Sequence, residues 1–207
     1  MPQISDVQVR QSLVTPSGSL VDRKGSKDGV AFADAVHGEY TVLALAGKLF
    51  YGANQAAVAT TTTKNTTWTG LGIANPTNSG KILILREFSW ALTVVGSAAG
   101  ALSLLMTTNS GLAAVATLGP FPVGSITSGG SVAIMDDGGT VVAGTIIAPI
   151  TTYGTGAITT WQGSGQQVAK LNGRILIYPG YAVLTDTTTV LTTGPIFGFL
   201  WEEVDLY

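Results

Sequence analysis

Short runs of β-branched, aromatic and aliphatic residues, each followed by turn-forming residues, recur along nearly the whole chain. Pro179-Gly180 and Asn172-Gly173 are typical turn pairs, because proline fixes φ while glycine and asparagine accept positive φ. Short strands repeating about every ten residues indicate an all-β sandwich or barrel. The predicted strands are residues 48–52, 66–74, 82–94, 101–107, 113–118, 131–135, 141–148, 157–162, 174–178, 181–185 and 196–204.

The segment 82–94 carries the clearest strand pattern. Its even positions are apolar, as at Ile84 and Phe88, with Arg86 as the one exception, and its odd positions from Glu87 onward are polar or small. An α-helix beginning at Ile82 would place Arg86 on its apolar stripe. The period of two therefore predicts a long strand with one apolar face.

Composition limits the partners and the chemistry of the chain. Its 207 residues suffice for one hydrophobic core and do not require two. Only 11% of the residues are charged, compared with about 25% in an average globular protein. The net charge is −2 and Lys and Arg are not clustered, so we expect no nucleic-acid partner. The absence of cysteine excludes disulfides and thiolate metal sites.

Residues 88–106 contain no charge over 19 positions, a length close to that of a membrane-spanning helix. We interpret residues 96–100, which are Gly, Ser and Ala, as a turn between two strands, because the strand period starting at Ile82 continues into this stretch. We therefore expect no membrane span. The first residues also lack the basic and apolar regions of a signal peptide.

Charge is concentrated near the N-terminus. Between Glu87 and Lys170 the only charged residues are Asp136 and Asp137, whereas residues 12–30 combine Pro, Gly, Ser and both signs of charge without a sustained period. Such a segment is typical of an extended arm. We predict an extended N-terminal arm at residues 1–45, followed by an antiparallel, jelly-roll-like β-sandwich at residues 46–207.

The motifs of the chain resemble those of a family of uncharacterised structural proteins encoded by tailed bacteriophages. The features in common are a small-residue NP..SGK turn, a strand run after it, a late PG hairpin and a terminal WEE strand. They correspond here to residues 75–81, 82–92, 179–180 and 201–203, with an opening segment at residues 47–55. The resemblance spans the chain from about Gly38 onward, and it implies a component of a virion and no chemistry.

Each candidate catalytic motif lacks residues or spacing that its chemistry requires, so we expect no catalytic, cofactor or metal site. Glu202-Glu203 are adjacent on a strand and point to opposite faces, and we interpret them as the solvated end of an apolar strand. Asp136-Asp137-Gly138-Gly139 lacks the spacing of a calcium loop and predicts a hairpin turn, with a hydrolase as a weak alternative. His37 has no G-x-S-x-G partner motif, and Gly80-Lys81 lacks the rest of a phosphate loop.

The four tryptophans allow two roles. Trp90 and Trp201 lie in strong strand patterns and predict core positions. Trp161 is flanked by small and polar residues, and together with Tyr153 it is a candidate glycan contact, although packing or an oligomer contact is the simpler interpretation.

These observations favour a non-enzymatic virion structural protein, and above all a capsid decoration or cement protein that stabilises the head shell. The alternative is a head-fibre or tail-associated β-sandwich module that binds a host-surface glycan. The expected partners are the major capsid protein or other virion proteins and further copies of the chain, with a trimer suggested by the resemblance, in a virion assembled in the host cytoplasm. The predicted interface comprises the sparse apolar residues of the arm, Ile4, Val7, Val9, Leu13, Val14, Leu20, Val30, Phe32 and Tyr40.

Overall fold

The computed structural model describes residues 13–14, 20–21, 40–62, 66–92, 98–154, 167–191 and 194–206. The chain divides into two units, Met1–Ala46 and Gly47–Tyr207. In the first unit, strand β1 (Leu13–Val14) pairs antiparallel with β2 (Leu20–Val21), and helix α1 spans Thr41–Leu45. The segment predicted as an extended arm therefore ends in a short helix, and most of its remaining residues lie outside the described ranges.

The described part of the second unit contains ten strands. They are β3 (Leu49–Ala53), β4 (Thr67–Ala74), β5 (Lys81–Leu92), β6 (Gly100–Thr108), β7 (Phe121–Pro122), β8 (Ile134–Thr140), β9 (Thr145–Tyr153), β10 (Gln167–Ile177), β11 (Tyr181–Thr187) and β12 (Pro195–Asp205).

Eight of these strands form four nested antiparallel pairs. Strand β3 pairs with β12, β4 with β11, β5 with β10 and β6 with β9. A long antiparallel ribbon that wraps around itself gives this nesting, which is the topology of a jelly roll. The predicted antiparallel, jelly-roll-like sandwich is confirmed.

The wrapped ribbon produces two five-stranded sheets. The first sheet has the order β10-β5-β12-β3-β7, and the second has the order β8-β4-β11-β6-β9. In each sheet, strand pairs from the ribbon are joined side by side, by β5 with β12 in the first sheet and by β6 with β11 in the second. Strands β7 and β8 extend the sheets beyond the eight strands of the jelly roll.

The main core lies between the inner faces of the two sheets. In the first sheet, the Phe88 ring contacts the rings of Phe197 and Phe199 at centroid distances of 5.9 and 5.1 Å. Leu71, Leu104 and Val183 are among the residues that the second sheet contributes to the same cluster. Trp90 and Trp201 are buried in this cluster, so their predicted core positions are confirmed.

A β-bulge at Arg86 changes the face to which the even positions of β5 belong. On β12, the consecutive residues Leu200 and Trp201 pair with Glu87 and Leu85, which leaves Arg86 without a counterpart. The buried residues are accordingly odd before the bulge and even after it, as at Leu85 and Phe88. The prediction that the even positions of 82–94 share one apolar face was therefore wrong, because the extra residue in a bulge reverses the alternation.

A second, smaller core covers the outer face of the second sheet. Leu105 and Leu184 alternate with residues of the main core and so point outward, where they pack with Trp68 and with Val141 from the segment 141–144. Leu112, in the segment 109–115, packs against the same cluster. Two connecting segments of the chain thus seal this outer face.

Several local predictions differ from the structure. The expected strand at 113–118 is a turn in which the Leu118 N–H donates to the Val115 carbonyl oxygen at 3.0 Å. Gly138 and Gly139, expected in a hairpin turn, lie within β8. Asn172-Gly173, also expected as a turn, forms an irregularity inside β10, where both residues have positive φ. The strand predicted at 157–162 lies outside the described residues.

The edges of both sheets contain features that disfavour pairing with another strand. In the first sheet, β7 is two residues long and β10 is interrupted at Asn172-Gly173. In the second sheet, β9 contains Pro149 and two register shifts, and β8 contains Gly138-Gly139. Short, bulged or proline-containing edges resist edge-to-edge association. These features therefore disfavour association of the sandwich through its sheet edges.

Candidate interaction surface

The outer face of the first sheet carries many apolar side chains among a few charged ones, and most of the apolar side chains are half-buried. The strand register places Val168, Ser89, Gly198 and Ala53 in one cross-strand row. An antiparallel sheet with one solvated face normally carries polar residues on that face. We define the outer apolar face as Tyr51, Ala53, Ile82, Ile84, Ala91, Phe121, Val168, Leu176, Ile196, Leu200 and Val204.

The small residues in this cross-strand row leave a shallow depression of about 200 Å³. A Cβ atom on Gly198 would lie 2.7 Å from Ser89 Oγ and 3.5 Å from Ala53 Cβ, so only glycine fits here without displacing a neighbour. The depression is smaller than the roughly 300–1,000 Å³ of typical small-molecule pockets. Its lining consists of Tyr51, Gly52, Ala53, Glu87, Ser89, Val168, Gly198, Phe199 and Leu200.

An aromatic pair stands at the β3–β7 side of the depression. Tyr51 and Phe121 are cross-strand neighbours whose ring centroids lie 5.4 Å apart with an interplanar angle of 42°. The Tyr51 hydroxyl donates to the Ser125 carbonyl oxygen at 3.0 Å, which fixes the ring. This side of the depression therefore has a fixed aromatic surface, and the Tyr51 hydroxyl is already hydrogen-bonded within the chain.

Glu202 and Glu203 are buried and paired, so their prediction as a solvated strand end was wrong. They do point to opposite faces: Glu202 accepts hydrogen bonds from Arg86 on the outer face, and Glu203 faces inward. Glu203 accepts from Lys81 Nζ at 3.1 Å, from the Val132 N–H at 3.0 Å and from the Ser131 hydroxyl. Glu203 thus holds the segment leading into β8 against the first sheet. Its partner Lys81 is the lysine of the Gly80-Lys81 pair, which therefore has a structural contact.

Asp136 has a structural position in the second sheet. Its two carboxylate oxygens accept hydrogen bonds from the Ala113 N–H at 2.7 Å and from the Gly138 N–H at 3.2 Å. The bond to Ala113 holds the segment 109–115 over the outer face, whereas the neighbouring Asp137 is exposed. In the described ranges, no group of three or more His, Asp or Glu side chains is arranged to hold a metal ion. His37 lies outside those ranges.

Tyr153, one of the two candidate glycan contacts, is only 3% exposed. Its hydroxyl donates to the Thr189 carbonyl oxygen at 2.7 Å, and its ring belongs to the main core. Burial raises the pKa of Tyr153 above its ordinary value of 10.0, hydrogen bonds to Thr189 and Thr187 oppose that rise, and the charge of Asp186 adds to it. This position does not offer the ring to a sugar. Trp161 lies outside the described residues.

Most of the arm residues predicted as an interface also lie outside the described residues, namely Ile4, Val7, Val9, Val30 and Phe32. Leu13, Val14 and Leu20 belong to the β1–β2 pair, and Tyr40 is half-buried immediately before α1. Helix α1 presents two apolar side chains missed in the sequence, Val42 and Leu45, which are 62% and 69% exposed. Their spacing of three residues on a short helix was the available signal.

The sequence reasoning also missed the outer apolar face. The signal was present in β12, where Ile196 and Leu200 point outward beside the core residues Phe197, Phe199 and Trp201. These outward positions are apolar, and a strand that is apolar on both sides marks a sheet covered on both faces.

Comparisons with known proteins add no relative. The scan against protein-family models and the searches of curated proteins and of solved structures found no match for this chain. None of the helices in the described ranges has the length and apolar character needed to cross a membrane.

Proposed function

We propose that the chain is a non-enzymatic virion structural protein of a bacteriophage, and specifically a capsid decoration or cement protein. The observation that carries this proposal is a jelly-roll sandwich that seals one outer face with its own segments and leaves the other apolar and half-buried. A protein whose task is assembly needs such a surface, since burial of apolar area drives most association.

In this role the protein adds contact area across subunit boundaries of the shell. The partners are the major capsid protein or other virion proteins together with further copies of the chain, and the location is the virion. The apolar residues of the arm provide the shell contact, because they are too sparse to form a core of their own. The resemblance of the NP..SGK, PG and WEE motifs to phage structural proteins supports the same assignment.

The jelly roll by itself does not separate the two candidate functions. This fold serves viral capsid domains and lectin domains alike, and a fold-level analogy does not establish a function. The second candidate is a head-fibre or tail-associated module that binds a host-surface glycan. The depression favours this candidate, because an aromatic residue, Tyr51, and a hydroxyl-bearing residue, Ser89, both line it.

The position and copy number of the protein on the virion distinguish the candidates. A cryo-EM map of the particle with hundreds of copies over the shell is the expected result for a decoration protein. A few copies at a vertex or on the tail would favour the glycan-binding module, and absence from the particle would refute both.

A truncation tests the role of the arm. A chain lacking residues 1–40 should keep its folded sandwich and lose binding to particles that lack the native protein, measured by co-sedimentation. A second variant keeps the full length and replaces Ile4, Val7 and Val9 by Ser. It should show the same loss of particle binding. Full occupancy by both variants would show that the arm is not the contact.

A further inference from the structure

On the outer apolar face, the Leu200 side chain stands beside the depression, next to a glycine that lacks one. Leu200 and Gly198 point to the same side of β12, and two residues along a strand are about 6.7 Å apart. Leu200 is half-buried and borders the depression, whereas Gly198 forms part of its floor. A surface with a projecting side chain beside a matching hole is self-complementary under a two-fold rotation, which brings each projection over the other copy's hole.

The area of the face is in the range that a stable dimer needs. At about 3.3 Å per residue and about 4.8 Å between strands, β10, β5, β12 and β3 give a face of roughly 600 Å². Two such faces together bury roughly 1,200 Å², the lower end of the range for specific complexes.

The charges around the depression do not oppose such pairing. Arg86 is paired with Glu202 within one chain. Glu87 and Lys170 lie opposite each other in the row next to the depression, so their charges are balanced locally. Burial of this face leaves the Arg86–Glu202 ion pair intact, and the exposed Arg174 is a further cation on β10.

We propose that two copies of this chain associate face to face through the outer apolar face, about a two-fold axis between Leu200 and Gly198. Each Leu200 side chain occupies the depression of the other copy, between Tyr51 and Val168. The blunted edges of both sheets prevent the competing association by strand addition. This pairing does not depend on particle binding, so the two proposals fail separately.

Sedimentation velocity of the full-length chain over a concentration series tests the pairing. The expected result is a monomer–dimer equilibrium. Leu200→Lys removes the protrusion and adds a charge, and it should weaken dimerisation at least tenfold. The matched control is Val142→Lys, because Val142 is also apolar and 53% exposed but lies in a segment over the other sheet. This control should dimerise like the wild type.

A second variant guards against a folding defect in Leu200→Lys. Ala53→Leu fills the depression without adding a charge, and it should also abolish dimerisation while the thermal unfolding midpoint stays near that of the wild type. A monomeric or trimeric wild type would overturn the proposal. Dimerisation unchanged in both variants, with binding to a glycan array lost in Ala53→Leu, would assign the depression to a sugar and overturn it as well.

Discussion

The outer faces of the two sheets are similar in carrying apolar residues, but their environments differ. Both carry apolar residues at positions where an exposed sheet face would carry polar ones. On the second sheet, Trp68, Leu105 and Leu184 are buried beneath the segments 109–115 and 141–144. On the first sheet, Tyr51 and Leu200 are half-buried around an open depression.

The difference lies in how the covering segments are attached. The Val141 N–H donates to the Thr66 carbonyl oxygen at 2.7 Å, the Thr107 hydroxyl donates to the Val142 carbonyl oxygen at 2.6 Å, and Asp136 holds Ala113. Trp68 lies flat against the sheet because Gly70 and Gly72 leave room for its ring. A connecting segment becomes part of a core when buried polar groups fix it there, and among the described residues the segments tied in this way lie over the second sheet.

The largest expected effect comes from removing the side chain at the centre of the covered face. Trp68→Ala should lower the free energy of unfolding by about 3–5 kcal/mol, because it leaves a cavity and removes the indole hydrogen bond to the Thr185 carbonyl oxygen. Leu200→Ala on the other face should cost less than about 1 kcal/mol, because its side chain is already half-exposed. Chemical denaturation measures both. Equal losses would show that the two faces are equally sealed.

The next effect concerns the tie that holds the covering segment. Asp136→Asn should cost about 2 kcal/mol, because one carboxylate oxygen that accepts a backbone hydrogen bond becomes an amide nitrogen. Hydrogen exchange in residues 109–115 should accelerate in this variant. The matched control is the exposed Asp137→Asn, which should stay within about 0.5 kcal/mol of the wild type. Unchanged exchange in Asp136→Asn would contradict the tie.

A smaller effect is expected in the depression of the open face. Gly198→Ala should cost about 1 kcal/mol, because the new Cβ atom crowds Ser89 Oγ. The double variant with Ser89→Ala should recover most of this loss, since the crowded oxygen is removed. Denaturation of the two single variants and the double variant gives the coupling energy. If the effects of the two single substitutions simply add in the double variant, Ser89 does not restrict the size of the side chain at position 198.

The smallest effect concerns the pH dependence of stability, and it comes from Tyr153 in the inner core and not from either outer face. The pKa of Tyr153 in the folded chain lies above its ordinary value of 10.0, so the unfolded chain loses this proton first as the pH rises. The contribution of Tyr153 to stability is therefore complete below pH 10 and is lost as the pH increases through the folded pKa. Tyr153→Phe should have a flatter decline of stability above pH 10, seen in denaturation curves at several pH values. An unchanged slope would place the origin of the decline elsewhere.

The fold class followed from the sequence because strand alternation and turn chemistry are local properties. The turn at Pro179-Gly180 and strand β11 lie where they were predicted, and the strand predicted at 174–178 is the last part of the longer β10. Arg86 appeared in the sequence as an exception to the alternation. It marked a bulge, and only pairing with β12 revealed that the buried face changes there.

The candidate site depended on distant contacts and was largely missed. Glu203 resembled a solvated residue because its neighbours in the sequence give no sign of Lys81, which is 122 residues away. Asp136 resembled a turn residue because the partner that explains it, Ala113, lies in another segment. Tyr153 resembled a surface aromatic, and its burial depends on the packing of the core.

The sequence by itself determined that this chain folds as an antiparallel β-sandwich with a distinct N-terminal segment, because hydrophobic period, turn residues and charge distribution act over a few residues at a time. The tertiary structure alone decided which apolar face is covered by described connecting segments and which keeps a half-buried apolar surface around a depression. That outcome depends on which connecting segments are held by buried carboxylates and backbone hydrogen bonds, and those partners meet only when the ribbon has wrapped into two sheets.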